Sequence, residues 1–200
     1  MRIAPRAARS ATIPSMKPGA RATATIDDLY RVPEHRKAEL VGGELVLMSP
    51  TGAIPGRASS EIWRSLREYE RRTGRGYAIP DNVGFIVNLP DRESFSPDAA
   101  FFTGELRGGK FLQGAPLFAA EVRSETDYGP AAEQAMARKR AEYFAAGALV
   151  VWDVDVLREL CVRVYRKSDP ENPTVYRRGQ MAEAEPAVPG WSMAVDALLS

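Results

Sequence analysis

The chain has 200 residues, with 27 Lys+Arg against 26 Asp+Glu and a formal net charge of +1; 44% of residues are hydrophobic and 26% charged, the balance of an ordinary globular protein. A single cysteine, Cys161, and a single histidine, His35, exclude an intrachain disulfide framework, Cys-based zinc sites, HExxH metalloproteases and multi-His metal centres. No segment reads as a membrane-spanning helix, no GxxxxGK[ST] phosphate loop is present, and near-zero net charge argues against coating nucleic acid by bulk electrostatics.

Residues 1–24 stand apart. They hold Arg2, Arg6, Arg9, Lys17 and Arg21 and no acidic residue, so the tail carries +5 and the remainder −4. The composition is compatible with a transit peptide, but without apolar periodicity a disordered basic tail is the expectation. The segment is not a secretory signal, which makes a cytoplasmic protein the expectation. The folded unit is expected over 25–200.

In chain order, Thr25-Ile26-Asp27-Asp28 has the Ser/Thr-x-x-acid pattern of a helix start, predicting a short helix to about Arg31. Ala38–Val41 and Glu44–Met48 flank Gly42-Gly43 and predict a β-hairpin. Pro50–Gly56 reads as a loop. From Arg57 to Thr73, Ala58, Ile62, Leu66 and Tyr69 share one face of a helix that Gly74 ends. Tyr77–Ile79 and Val83–Leu89 read as strands, Asp91–Ser96 as a turn, Asp98–Phe102 as a short strand, Gly104–Gly114 as a loop and Leu117–Arg123 as a buried strand. Ala131–Ala146 is a predicted helix closed by Gly147. Ala148–Asp155 is a buried strand with Glu159–Arg166 paired back on it; Thr174–Arg177 adds a strand, and Met193–Leu199 a C-terminal helix. This order predicts a mixed β-sheet with helices packed on it.

Three residues are of unusual type for their positions. Glu121 lies within Leu-Phe-Ala-Ala-Glu-Val-Arg, where a strand buried on both faces makes a carboxylate costly unless a cation satisfies it. A salt bridge to an arginine, exposure at the strand end and a metal site all answer that cost. Asp98 follows Ser96-Pro97 and reads alone as a turn residue. Lys139 shares a helical stripe with Ala135, Met136, Tyr143 and Phe144, where its stem either snorkels to solvent or brings an ammonium over Glu121. Together the three form an oxygen-ligand site suited to Mg²⁺ or Mn²⁺, with a lysine to orient water or stabilise developing charge. Phosphodiester hydrolysis is the reaction class that fits them best.

The ordered series Glu39–Pro50, Ser96-Pro97-Asp98-Ala99-Ala100-Phe101, Ala120–Asp127, Lys139-Arg140-Ala141-Glu142-Tyr143, Val151–Asp155 and Pro189-Gly190-Trp191 resembles the Uma2 family (DUF820), endonuclease-like proteins of the PD-(D/E)xK superfamily. The resemblance runs over about residues 24–199. It implies an α/β, restriction-endonuclease-like core, a mixed β-sheet flanked by helices with an N-terminal β-hairpin. It also implies Asp98 and Glu121 as metal ligands, Glu39 as an additional ligand or a polar residue on a hairpin edge, and Lys139 as the catalytic lysine. The lysine of the usual (D/E)xK triplet is replaced by Arg123, which stays protonated and is offered to a phosphate. Asp127 is expected to cap the next helix.

The resulting expectation is a Mg²⁺- or Mn²⁺-dependent endonuclease acting on DNA. Arg57, Arg64, Arg67, Arg71, Arg72 and Arg75 are candidates for a basic patch or simply a solvated helix face. A homodimer is the arrangement that would cut both strands. The alternatives are a binding protein that kept the fold without turnover, or a metal-dependent phosphodiesterase acting on small substrates.

Overall fold

A computed structural model describes residues 23–32 and 37–200. The basic tail up to residue 22 and the run 33–36, which includes His35, lie outside the described residues.

The chain opens with α1 (Ile26–Tyr30), started by a reciprocal cap in which Thr25 N–H donates to Asp28 Oδ2 at 2.9 Å and Asp28 N–H to Thr25 Oγ1 at 3.3 Å. A hairpin follows, β1 (Ala38–Val41) and β2 (Glu44–Leu47), turned by Gly42 and Gly43 at φ of 55° and 75°. Both central residues of that turn need positive φ, the conformation glycine adopts without a Cβ penalty. Next come α2 (Ala53–Thr73), β3 (Tyr77–Ile79), β4 (Phe85–Leu89), β5 (Arg92–Phe95), β6 (Ala99–Phe102), β7 (Leu112–Gln113) and β8 (Phe118–Val122). Then α3 (Pro130–Ala146) leads to β9 (Val150–Asp155), β10 (Cys161–Arg166), β11 (Asp169–Arg177), β12 (Met181–Glu183), β13 (Ser192–Ala194) and a 3₁₀ turn at Val195–Leu199.

The main sheet has the order β11-β10-β9-β8-β6-β3. Its centre is the parallel pair β8–β9, joined through α3; β6 flanks β8 and β10 flanks β9, both antiparallel. Strand alternation sorts side chains to two faces. Phe118, Ala120, Val122, Val150, Trp152 and Val154 enter the core beneath α2. Ala119, Val151, Ala100 and Phe102 face the other core with Tyr143 and Phe144 of α3. Toward the C-terminal ends of β8 and β9 this second face turns acidic, with Glu121 in register with Asp153. Open α/β sheets bind ligands at that end of their parallel strands.

Several elements differ from the sequence expectation: β7 lies within the expected 104–114 loop, β12 is an additional strand, and β11 begins at Asp169 rather than Thr174. Residues 92–95 form β5 rather than a turn; the polar run Arg92-Glu93-Ser94 conceals a strand whose side chains are met by other elements, as when Leu40 N–H donates to Ser94 Oγ at 2.7 Å. The α2 helix starts at Ala53, four residues before Arg57, because Pro55 falls in the first turn, where a missing N–H leaves no helical bond unmade. The expected C-terminal helix is instead β13, paired with β12, followed by the 3₁₀ turn.

Asp155 closes β9 and builds the turn into β10. Its Oδ1 accepts Arg158 N–H at 2.9 Å, Leu157 N–H at 3.2 Å and the Tyr128 hydroxyl at 2.9 Å. Burial works to raise its pKa, but these donors outweigh burial and hold the carboxyl below its ordinary range. A depressed folded-state pKa adds stability above that range, and the stability is lost as pH falls through it. Asp155→Asn should therefore lower stability by about 2 kcal/mol at pH 7 in urea unfolding. The gap to wild type should narrow as the pH drops below about 4.

Candidate active site

The strand preceding α3 supplies the first acid. Glu121 lies on the α3 side of β8 with its side chain 25% exposed, at the floor of a cleft of about 470 Å³ that Lys37, Asp98, Ser124 and Lys139 also line. Asp98 immediately precedes β6 and extends that strand's pairing with β8: its N–H donates to Ala120 O at 3.1 Å. One rung further the ladder ends, and Asp98 Oδ2 accepts the Val122 N–H at 2.8 Å. The side chain thus satisfies a strand-end donor that the backbone leaves open, and this bond fixes the carboxylate beside Glu121.

From the opposite side α3 delivers Lys139 and, one turn later, Tyr143. The Lys139 Nζ is 2.9 Å from Glu121 Oε1 and 3.0 Å from Glu39 Oε1, and the Tyr143 hydroxyl donates to Glu121 Oε1 at 2.6 Å. Tyr143 is held by ring stacking on Phe95 at 4.0 Å between centroids. Burial raises the Tyr143 pKa well above its ordinary value, and the Glu121 and Glu39 carboxylates raise it further, so the phenol remains a donor. Burial pulls the Lys139 pKa down, but Glu121 and Glu39 outweigh it and the net shift is upward, so the amine is an ammonium. Glu121 shifts upward chiefly through burial; Lys139 opposes that shift while the Asp98 and Glu39 carboxylates add to it.

Glu39 is buried, and both of its oxygens are engaged. Oε1 takes Lys139 and the Ser96 N–H at 2.9 Å, and Oε2 takes Arg92 at 2.7 Å. Burial favours the neutral acid, yet Lys139 and Arg92 together lower its pKa. Arg92 reaches on to Glu142 of α3. Glu39 is therefore placed to hold Lys139 over Glu121, rather than presenting an open oxygen to the cleft.

The structure thus brings Asp98, Glu121, Lys139 and Glu39 into one cluster and places the other candidates elsewhere. All five N–H donors of Arg123 are taken, by Asp153, Glu133 and the Asp127 carbonyl. The side chain is 5% exposed, so the phosphate contact read from the sequence is corrected to a buried ion-pair hub. Asp127 does not cap α3, whose N-cap is Gly129; its carboxylate closes the 124–127 turn by accepting the Ser124 N–H and hydroxyl, both at 2.7 Å. The arginine-rich helix α2 packs on the face of the sheet opposite the cleft. Arg64 and Arg67 pair there with glutamates of their own helix, so this is a solvated helix face rather than the wall of the site.

Three contributors escaped the sequence reading. Arg92 sat in an expected turn, and Tyr143 was read only as part of the apolar stripe, although its i+4 spacing from Lys139 was a usable signal. Lys37, in a polar run that reads as solvated, places its Nζ 2.7 Å from Asp98 Oδ1 and 2.7 Å from Asp81 Oδ1.

Among the described residues no three His, Cys, Asp or Glu side chains group into a metal cage. A Mg²⁺ ion does not require one, since it keeps several waters and binds through one or two carboxylates. Asp98 and Glu121 offer two, and Glu121 Oε2 accepts no hydrogen bond among the described residues. The donor set fits a hard divalent cation.

Comparison with known proteins gives the family and the fold. A family model for Uma2, described as "Putative restriction endonuclease", matches residues 25–196. The crystal structure of a putative nuclease belonging to DUF820 from Anabaena variabilis ATCC 29413 is similar with a TM-score of 0.68 at 16% identity, over 88% of this chain and 97% of that one. That likeness shows the fold. No curated protein matches the sequence. On the family match over most of its length, the chain belongs to the Uma2 family.

Proposed function

We propose that the protein is a Mg²⁺- or Mn²⁺-dependent endonuclease that hydrolyses DNA phosphodiester bonds at the Asp98–Glu121–Lys139 cleft. The observation that supports this reading is the convergence of two carboxylates from neighbouring strands with an ammonium 2.9 Å from one of them. A divalent ion held by Asp98 and Glu121 would supply Lewis acidity toward a phosphoryl oxygen and activate water.

The chain's own residues account for the rest. In the hydrolysis a water oxygen attacks phosphorus and gives up a proton to solvent; the P–O bond to the leaving ester oxygen breaks, and that oxygen takes a proton from solvent. Lys139, kept protonated, does not accept the water's proton. Its ammonium donates to the attacking water or to the phosphoryl oxygen that gains charge, and a donor fixed in advance costs no reorganisation at the transition state. Tyr143 fixes Glu121 Oε1, and Oε2 accepts no hydrogen bond among the described residues; the Val122 N–H fixes Asp98. Glu39 and Arg92 are positioning residues for Lys139. With one such cleft acting per encounter, a duplex would be nicked before it is cut through, whereas a two-fold pair of chains would cut both strands at once.

Supercoiled and single-stranded DNA incubated with Mg²⁺ or Mn²⁺ test the reading. Wild type should cleave. Asp98→Asn should abolish detectable turnover, and Lys139→Met should reduce kcat on the order of 100-fold or more, the usual effect of removing one preorganised donor. DNA binding without cleavage in either metal would instead identify a binding protein, and hydrolysis of small diesters alone a small-substrate phosphodiesterase.

Glu39→Gln should keep the DNA dissociation constant and lower kcat, because it loosens Lys139 without touching substrate. It should also cost about 3 kcal/mol in urea unfolding, since Arg92 and Lys139 then share a buried site with less negative charge. An unchanged kcat in a folded variant would remove Glu39 from the machinery.

A further inference from the structure

Two ammonium groups stand on the acid pair, and the proposed chemistry uses only Lys139. Lys37 reaches the pair from the open end of the β1–β2 hairpin. Its backbone is fixed there by the Met48 N–H, which donates to Lys37 O at 2.9 Å. Its side chain is 13% exposed, and its Nζ is 2.7 Å from both Asp98 Oδ1 and Asp81 Oδ1. Asp98 Oδ2 is already engaged by the Val122 N–H. Oδ1 is therefore the oxygen Asp98 has to offer a cation, and Lys37 occupies it.

A divalent ion bound to that oxygen at ordinary Mg²⁺ distance would lie no more than about 4.8 Å from the ammonium. Two positive centres that close in a half-buried cleft repel strongly. A buried lysine without an acceptor would be equally unfavourable. Asp81 resolves both problems. It lies in the turn after β3, its side chain is 35% exposed, and it already touches the ammonium.

We propose that Lys37 is a built-in competitor of the divalent ion: it neutralises Asp98 when no metal is bound, and shifts fully onto Asp81 when metal binds. Lys37 thereby sets the metal affinity of the site, and Asp81 is the acceptor that makes its withdrawal possible. The inference rests on the reading of Asp98 and Glu121 as metal ligands.

Calorimetric titration of the full chain with Mn²⁺, without DNA, tests it with variants of opposite expected sign. Lys37→Met keeps the stem and removes the charge; it should tighten Mn²⁺ binding about tenfold, the order expected when one competing unit charge leaves such a site. Asp81→Asn should weaken binding severalfold, because Lys37 is then left with Asp98 alone. Lys37→Arg retains the charge and should stay near wild type. A second readout is the melting temperature. Lys37→Met should melt lower than wild type without metal and gain more from Mn²⁺. If Lys37→Met perturbs folding by circular dichroism, Lys37→Gln takes its place with the same expectation.

Unchanged or weaker binding in a folded Lys37→Met or Lys37→Gln overturns the inference, as does tighter binding in Asp81→Asn. In that case wild-type binding that is lost in Asp98→Asn leaves the metal site standing. Absence of Mn²⁺ binding by wild type and by Lys37→Met alike overturns the metal site and the inference with it.

Discussion

A carboxylate on the inner face of the central sheet is the constraint from which the rest of the site follows. Glu121 follows Ala119 on the α3 side of β8; Ala119 pairs with Ala100 of β6 and Val151 of β9, and Glu121 itself lies opposite Asp153. A charged group there is costly without a partner, and Lys139 with Tyr143 provides one. Their contacts in turn determine how α3 lies, because two side chains one turn apart must both reach the same oxygen. Lys139 needs its own counter-charge, which Glu39 supplies; Glu39 is balanced by Arg92, and Arg92 by Glu142 back on α3. This closed circuit ties the hairpin to β5, β8 and α3 through ion pairs, beside the apolar contacts that join β5, β8 and α3. A buried pair loses most when one partner is removed, so the circuit favours one arrangement of these elements over nearby alternatives.

The circuit is not electrically neutral. Around the cleft, Glu39, Asp81, Asp98, Glu121 and Glu142 face Lys37, Arg92 and Lys139. Fully ionised, that set carries an excess of two negative charges. A few ångströms along the same face, Asp153 and Glu133 are met by Arg123, with Arg140 3.9 Å from Asp153, and no such excess arises. An excess of negative charge thus surrounds the acid pair. Glu121 registers it as an upward pKa shift, in which the neighbouring carboxylates add to the effect of burial.

What the sequence disclosed follows a physical rule. Glu121 and Lys139 were legible because each is the wrong type for its surroundings: an acid in an apolar strand and an amine on an apolar stripe. The Gly42-Gly43 turn, the Thr25–Asp28 cap and the α2 and α3 stripes were legible because local chemistry alone determines them. Arg92, Lys37 and Asp81 gave no signal, since polar residues in polar runs look solvated until packing buries them. Arg92 is buried between the hairpin, which lies along β5, and α3, and β5 is a strand whose polar sequence resembles a turn. The same limit accounts for α2. Its arginines suggested a basic patch, and periodicity identified the buried stripe, but neither indicates which face of the sheet the helix covers.

Arg123 and Lys139 divide two tasks between a strand end and a helix. Two residues beyond Glu121 on the same strand face, a lysine at this position would reach the cleft directly. Here a guanidinium binds Asp153 on β9 and Glu133 in the first turn of α3. It anchors the start of that helix to the end of β8, while Tyr143 anchors a later turn to Glu121. Between two fixed points, the rise and rotation of the helix leave Lys139 little freedom, and its ammonium arrives where the strand would otherwise have placed one. What the proposed chemistry requires is an ammonium within hydrogen-bond reach of the second carboxylate. Spacing along the strand is one way to meet that requirement, and a helix pinned at two points is another.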